Sequence, residues 1–338
     1  MLRSITSYPF PSSVLKKLKE DGFIYFEDLY DGQEINCEGK LLMKQCGFEM
    51  NPIDFMSVSK CPSKSALDLW QDECMAPHIV TFSKSMDDML DGGITVGQIT
   101  ELCGAPGSGK TQLSLQLCVD VTIPKSLGGL DGEALYIETD SGFTPSRLKE
   151  IAKACVDHCQ LVAFHQSEGS LENEVSNFIE TTILQAIHYT SACGYTQLLA
   201  AVFSIQDFLQ KNSKVKLIVV DSLAFPFRDG VLNSLHRTRL LSSILKELRV
   251  VALKFNLAVV VTNQLTTKIG PRCEKSLIPA LGESFGHYCN LRVMLGHLNQ
   301  NTYAAFVLKS VKKPQISAQF QIVKNGIRDC DLQEMSSE

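Results

Sequence analysis

The feature that most restricts this chain is the octapeptide Gly104-Ala105-Pro106-Gly107-Ser108-Gly109-Lys110-Thr111, which fits the pattern Gly, four residues, Gly-Lys-Thr. It follows a run over 98–103 that reads as a strand, and it opens a segment with Leu113 and Leu117 at helical spacing. Strand, glycine-rich turn and helix in that order make an anion cradle. The glycines let backbone N–H groups turn inward, and the helix N-terminus adds its positive end. Lys110 is placed to reach the β and γ phosphates of a nucleoside triphosphate, and the Thr111 hydroxyl to hold magnesium. The competing reading is a chance glycine-rich turn, and the ordered context argues against it.

The rest of the chain suits such a cradle. From His78 onward, short β-rich runs alternate with amphipathic helices, the pattern of an α/β fold whose mostly parallel central sheet is covered on both faces. Besides 98–103, the expected strands are 134–138, 216–221, 257–262 and 291–295. The clearest helix carries Leu240, Leu241, Ile244, Leu245, Leu248, Val251, Ala252 and Phe255 on one stripe, an ordinary core face. Upstream, residues 1–59 read as a small helical domain. Ser12 or Ser13 caps a segment with Val14, Leu15 and Leu18 on one face and Lys16, Lys17 and Lys19 toward water, and Asp21-Gly22 ends it. Residues 60–77, with two prolines, mixed charge and one apolar cluster at Leu67, Leu69 and Trp70, read as a linker to a core over 78–338.

Composition narrows the class further. With 44% hydrophobic residues and a net charge of −5, the chain has too much apolar material for disorder. No apolar run approaches the ~20 residues that span a bilayer, and the first residues lack a signal-peptide pattern, so a soluble intracellular protein without a membrane partner is expected. The 12 cysteines, scattered from Cys37 to Cys330, read as small buried hydrophobes kept reduced. Cys155 and Cys159 come nearest to a metal spacing but lie in a helical pattern with no second pair. Because the chain is acidic overall, nucleic acid would have to be held by a local patch.

Three further runs carry chemistry. Leu217-Ile-Val-Val-Asp221 is an apolar strand ending in an acid, as needed to set a carboxylate beside the magnesium shell. Ala134-Leu-Tyr-Ile-Glu138-Thr-Asp140 ends in two acids, and a carboxylate there can polarise the water that attacks a γ phosphate. Asp140 is the favoured base; the alternatives are Glu138, or that both acids merely cap the next turn. Val259-Val-Val-Thr262-Asn263-Gln264 puts polar residues at the C-terminal end of a strand, where ligands sit in open α/β sheets. Gln264 is either a γ-phosphate contact or a strand-end hydrogen bond.

Together these elements resemble the RecA-type recombinase ATPases, in the branch shared by eukaryotes and archaea. The resemblance spans essentially the whole chain, the small N-terminal helical domain included. Phe143-Thr-Pro145-Ser-Arg147-Leu148 and Thr262-Asn263-Gln264 carry it beyond a generic ATPase. Cys103-Gly-Ala-Pro-Gly, Ala224-Phe-Pro-Phe-Arg228, Arg237-Thr-Arg239 and Pro279-Ala-Leu-Gly-Glu-Ser284 resemble a paralogue more than the main recombinase.

The resemblance implies ATP and magnesium as cofactors, nucleotide binding at subunit interfaces, and a nuclear site of action, with the cytoplasm as a second compartment. It implies assembly with other RecA-like paralogues, a link to the main recombinase filament, and action on single-stranded or branched DNA in homologous recombination repair. By position, Asp140 stands where the family has a catalytic Glu, Arg147 where an Arg contacts adenine, and Gln264 and His287 where residues sense the γ phosphate. Asp140 is one methylene shorter than Glu, so slow hydrolysis is expected. The linker lacks the Phe-x-x-Ala plug, which disfavours long self-filaments; Lys64-Ser-Ala-Leu67-Asp-Leu-Trp70 is a candidate dock for another partner.

The two DNA loops map to 222–237 and 265–282. The first carries Arg228, Arg237 and, at its edge, Arg239 against Asp229; the second carries Lys268, Arg272 and Lys275 against Glu274. Phe225 and Phe227 could stack on bases, or belong to the core. The second loop, polar and holding Gly270-Pro271, reads as a segment that orders on binding. Lys309, Lys312, Lys313, Lys324 and Arg328 are either a further ligand face or a solvated surface. Two function classes follow: a slow DNA-dependent ATPase, or a scaffold in which nucleotide joins subunits and turnover is incidental. A hexameric, helicase-like core is a third reading, against which the N-terminal domain and the 224–228 segment argue.

Overall fold

The computed structural model describes residues 4–7, 12–31, 34–35, 63–166, 176–228, 233–269, 275–299 and 301–330. The chain divides into two compact units, Met1–Cys74 and Met75–Glu338.

In the first unit the helix Ser12–Glu20 buries Val14 and Leu18, and Ile5, Phe23 and Leu29 are buried with them. It stops at Asp21-Gly22: Gly22 takes φ 89°, and the Phe23 N–H reaches back to the Leu18 carbonyl at 2.9 Å. Beyond it, β1 (Tyr30–Asp31) and β2 (Glu34–Ile35) pair antiparallel, a departure from the all-helical expectation. Two-residue strands are too short to show a period of two in sequence. The expected linker also contains regular structure, the helix Ala66–Cys74. Its start is a reciprocal cap: the Asp68 N–H donates to Ser65 Oγ and the Ser65 N–H to Asp68 Oδ2, both at 3.1 Å. Leu67, Leu69 and Trp70 are all exposed.

The second unit opens with a small antiparallel pair, β3 (His78–Ile79) and β4 (Ile94–Thr95). Its main sheet contains β5 (Ile99–Gly104), β6 (Glu133–Glu138), β7 (Ile187–Ser191), β8 (Val215–Asp221) and β9 (Ala258–Asn263). A separate hairpin, β10 (Leu265–Ile269) with β11 (Lys275–Pro279), follows β9. Then β12 (Leu291–Asn299), β13 (Thr302–Lys309), β14 (Ser317–Val323) and β15 (Gly326–Asp329) complete the nine-stranded order β15-β14-β13-β12-β5-β9-β8-β6-β7. From β12 to β7 every neighbouring pair is parallel, and β13 to β15 return as an antiparallel meander. The five expected strands are all present, within one residue at their starts. β7 and the meander add to them; polar residues interrupt their apolar pattern and hide them in the sequence.

Successive residues of the central strands feed two separate cores. Tyr136, Leu217, Val219, Ala258 and Val260 face the helices Lys84–Leu90, Lys110–Asp120 and Pro145–Gln166. Leu135, Ile137, Ile218, Val220, Val259 and Val261 face Tyr195–Lys211 and Ser234–Phe255. Burial on both sides explains why these strands are nearly unbroken apolar runs. Each fully buried Val or Leu contributes about 1.5–3 kcal/mol. On the helix Ser234–Phe255 the expected stripe is the buried face: Leu241, Ile244, Leu245, Leu248, Val251 and Ala252 are all interior.

The last described strand is tied to the first helix of this unit. The Asp329 carboxylate accepts hydrogen bonds from Ser83 Oγ (2.7 Å), the Lys84 N–H (3.0 Å), and the Ser85 N–H (3.0 Å) and Oγ (2.8 Å). It thereby satisfies amides that the start of the helix Lys84–Leu90 would leave unpaired.

Candidate functional site

Parallel strands β5, β6, β8 and β9 end at the same edge of the sheet, and each brings one of the expected groups there. β5 runs into the loop 104–109, which opens the helix Lys110–Asp120. Two of its glycines are needed for backbone reasons: Gly107 and Gly109 hold φ 77° and 90°. Gly104 is needed for space, since a Cβ there would meet Ser108 Oγ at 2.3 Å and the Leu295 carbonyl at 2.4 Å. Lys110 Nζ donates to the carbonyls of Gly104 (2.9 Å) and Ala105 (2.8 Å) and to Ser108 Oγ (3.3 Å). Burial lowers its pKa, opposed by the charges of Asp221 and Asp140.

Asp221, 3% exposed at the end of β8, gathers three hydroxyls. Thr111 Oγ1 and Tyr136 OH donate to Oδ2, each at 2.7 Å, and Thr262 Oγ1 donates to Oδ1 at 2.5 Å. The two residues expected to hold magnesium are thus in direct contact. The donor set fits that ion in kind: one hydroxyl and one carboxylate, hard oxygens and few of them. Among the described residues no group of three or more His, Cys, Asp or Glu forms a closed metal cage; Cys155 and Cys159 are free and buried in the helix Pro145–Gln166.

The two acids at the end of β6 have different roles. Glu138 is 6% exposed and its carboxylate is occupied: it accepts from the Phe143 N–H at 2.5 Å and from Tyr189 OH. Phe143 lies between Tyr136 and Tyr189 with ring centroids 4.9 Å from each. Glu138 therefore ties down the turn that follows it through one hydrogen bond to each carboxylate oxygen. Asp140 is exposed beyond that turn. A Cβ at Gly142 would lie 3.5 Å from Asp140 Oδ1 and 4.0 Å from Thr111 Oγ1, so both side chains border Gly142. Its pKa is raised, first by partial burial and then by the charges of Asp221 and Glu138.

Gln264 follows β9, half-buried, and His287 is exposed in the last turn of the helix Glu283–Tyr288. Arg147 donates to Gln112 Oε1 (2.8 Å), Glu150 Oε2 (2.8 Å) and the carbonyls of Val323 (2.6 Å) and Lys324 (2.7 Å). It links the phosphate-loop helix to the turn between β14 and β15.

The DNA candidates lie apart from these groups in character. Arg228 is exposed after a short 3-10 turn, Phe225–Phe227. Within that turn the two aromatics separate: Phe227 is 3% exposed and belongs to the core, which excludes it from base stacking, whereas Phe225 is 38% exposed. Arg237 and Arg239 stand exposed on the first turns of the helix Ser234–Phe255, whose start Asn233 caps by accepting from the His236 N–H at 2.7 Å. The second loop is not the irregular segment expected. Its described residues form the hairpin β10–β11, with Leu265 opposite Pro279 and Ile269 opposite Lys275, and three of the five residues of Leu265-Thr-Thr-Lys-Ile269 are β-branched. Lys268 is exposed and 3.5 Å from Glu283. Arg272 lies outside the described residues, as do Asp229 and Glu274, and Lys275 is described only as the backbone partner of Ile269.

The C-terminal basic residues are not one face. Lys309 Nζ binds the carbonyls of Gly286, His287 and Cys289, Arg328 stacks 4.8 Å over the Phe82 ring, and Lys313 pairs with Asp91 at 3.2 Å.

Sequence reasoning missed Tyr136, Tyr189 and Thr262 as supports for the acids. Nothing in an apolar strand marks a tyrosine as a hydrogen-bond donor, although Thr262 lies in the polar end of β9, which does carry a signal.

Comparison with known proteins agrees with this geometry. The Rad51 family pattern matches residues 74–162 and 173–330. Over 350 aligned positions the chain is 35% identical to DNA repair protein RAD51 homolog 3 of Cricetulus griseus, covering 100% of this chain and 95% of the relative. The protein of the same name from Dictyostelium discoideum is 40% identical over 271 residues, covering 78% of this chain and 69% of that one. DNA repair and recombination protein RadA of Metallosphaera sedula is 32% identical over 271 residues, covering 79% and 77%. With a phosphate loop, paired metal-side oxygens and a recombinase-like sheet edge in one unit, and with these similarities along its length, the chain belongs to the Rad51 family.

Proposed function

We propose that this chain is a recombinase paralogue of the C type that binds ATP with magnesium and single-stranded or branched DNA, and that acts in homologous recombination repair within a heteromeric complex of paralogues. The names of two relatives, both RAD51 homolog 3, support the paralogue assignment. The nucleus is its proposed place of action, the main recombinase filament its proposed client, and DNA-stimulated ATP hydrolysis its proposed, slow activity.

The observation that carries the reading is the contact of Thr111 with Asp221 beside Lys110. A hydroxyl, a carboxylate and a partly desolvated ammonium meet where a glycine-rich turn offers inward amides, the set that phosphoryl transfer uses. Magnesium, when bound, neutralises charge developing on the phosphate oxygens. The residues do the rest. The loop amides and Lys110 hold the triphosphate, Thr111 and Asp221 hold the cation, and Tyr136 and Thr262 fix the rotamer of Asp221. Asp140 takes the proton of the attacking water. Gln264 and His287 are the proposed γ-phosphate contacts, and Arg147 the proposed adenine contact. Arg228, Arg237, Lys268, Arg272 and Lys275 are the proposed phosphate contacts on DNA.

One observation favours assembly over turnover as the main use of nucleotide. Asp140 is one methylene shorter than Glu, and a general base so misplaced forfeits ~10²-fold in rate. The test compares complex formation with a partner paralogue in ATP, in a non-hydrolysable analogue and without nucleotide, alongside ATPase assays with and without single-stranded DNA. Equal assembly in ATP and analogue, with none in nucleotide-free buffer, supports a nucleotide-joined complex. Assembly that ignores nucleotide overturns it.

A further inference from the structure

The helix Pro145–Gln166 carries two thiols that the nucleotide chemistry does not use. Cys155 and Cys159 stand one helical turn apart and are 1% and 3% exposed. They lie within hydrogen-bond reach of each other, the Cys155 S–H donating. That bond lowers the Cys159 pKa against the effect of burial, so Cys159 is the better nucleophile of the two.

Cys159 also lines a half-open cavity of about 210 Å³, whose other walls are the apolar side chains of Val80, Phe82, Ile123, Leu127 and Val162. The Phe82 wall is held in place: His158 sets its ring edge-on to it at 5.2 Å, and the Arg328 guanidinium lies 4.8 Å over it. Ile123 follows the helix Lys110–Asp120, so the cavity sits at the opposite end of that helix from Lys110.

Geometry and charge decide what such a pair can take. Side chains at i and i+4 hold their Cβ atoms about 5–6 Å apart, whereas a disulfide needs about 3.5–4.5 Å, so direct oxidation would have to deform the helix. A single atom set between the sulfurs fits the longer span. Structural zinc takes four ligands, and among the described residues no third His, Cys, Asp or Glu joins the two. A two-coordinate cuprous ion would leave a net negative charge in an apolar core, where Asp120, buried nearby, outweighs Arg328 in opposing it. A trivalent arsenic bearing one carbon substituent meets each condition. It binds two sulfurs, the product is neutral, and its apolar substituent finds an apolar space beside Cys159.

We propose that Cys155 and Cys159 are a modification site for monosubstituted trivalent arsenicals, with arsenic bridging the two sulfurs and its organic substituent lodged in the cavity. The step is a double exchange at arsenic. Two As–S bonds form and two As–O bonds break. The thiol protons leave with the displaced oxygens as two waters, and arsenic stays trivalent. The site shares no residue with the proposed nucleotide machinery, so its failure would leave that reading standing.

The test exposes the full chain to one equivalent of phenylarsine oxide, which in water is the dihydroxide, then to excess mercaptoethanol, and reads the intact mass. One phenylarsenic per chain is expected to survive this monothiol and to leave in dimercaptopropanol, because an arsenic held by two thiols of one chain resists single thiols. Non-reducing digestion is expected to place it on the peptide that holds Cys155 and Cys159. Cys155→Ala and Cys159→Ala should each reduce the surviving adduct at least about tenfold, whereas Cys193→Ala, at an exposed thiol, should leave it unchanged. Val162→Phe keeps both thiols and narrows the cavity; it should slow capture about tenfold or more. No surviving adduct, an adduct mapped to other cysteines, or a folded Cys159→Ala that retains it overturns the site. Capture by Val162→Phe at the wild-type rate overturns it too, since the aryl group then lies outside the cavity. The wild-type mass and map decide the question even where a variant fails to fold.

Discussion

The nucleotide edge and the DNA-facing elements of this molecule follow opposite rules. At the nucleotide edge two of the three acids are interior and hydrogen-bonded, with only Asp140 exposed: Asp221 holds three hydroxyls, and Glu138 holds an amide and a phenol. On the DNA side Arg228, Arg237, Arg239 and Lys268 stand in water, and the ion pair of Lys268 with Glu283 is exposed on both partners. Exposed pairs of that kind contribute about 0–1 kcal/mol. Chemistry that must position atoms before a ligand arrives is built into the core, whereas chemistry that only supplies charge is left on loops and helix starts.

The sharpest way to break this contrast is at Lys110. Lys110→Ala should lower ATP affinity by at least about 10²-fold while DNA affinity without nucleotide stays within about twofold, as read by fluorescence titration of each ligand. If both affinities fall together, the two regions are not separable.

Asp140 comes next. Asp140→Glu should raise DNA-stimulated turnover by about 10-fold or more and Asp140→Ala should abolish it, measured as phosphate release. The sign of the pH dependence follows from the raised pKa. The base works only when deprotonated, and burial with the charges of Asp221 and Glu138 raises its pKa, so turnover should fall as pH drops, with a midpoint higher than that of a free aspartate. Turnover indifferent to both substitutions removes Asp140 as the base.

The two phenylalanines of the Phe225–Phe227 turn divide along the same line. Phe227→Ala should cost about 3–5 kcal/mol in a denaturant melt, because it empties a core position. Phe225→Ala should leave the melt within about 1 kcal/mol and weaken single-stranded DNA binding by about 1–3 kcal/mol if that ring stacks on a base. A Phe225 variant with unchanged DNA affinity assigns the ring to the surface alone.

The smallest effect tests charge. Arg237→Ala with Lys268→Ala should flatten the dependence of log affinity on log salt by roughly 0.7 for each DNA phosphate that the variant no longer neutralises, with ATP affinity unchanged. An unaltered slope places the DNA elsewhere.

The same contrast explains what is legible in the sequence. The phosphate loop, Asp221 and the central strands can be read because each is a local pattern: a fixed glycine spacing, or an apolar run that ends in an acid. The hairpin β10–β11 reads in sequence as a segment that orders on binding because it is largely polar, holds Gly270-Pro271 and shows no sustained apolar alternation in either strand. The roles of Tyr136 and Tyr189 are invisible there, since each depends on a partner on another strand; Tyr136 and Asp221 are 85 residues apart. Long-range polar pairing leaves no period in a sequence, and the supports of this site are pairings of that kind.

The clamp of Asp329 on Ser83, Lys84 and Ser85 closes the α/β core into a circuit, because those residues are separated by some 245 positions of chain. As the polypeptide leaves the ribosome, the first helix of the core is made early with only its local cap, Ser83 accepting from the Met86 N–H, and gains the Asp329 bonds when the last described strand emerges. A premature stop shortly before Asp329 would therefore damage the opposite end of the domain from the one it shortens.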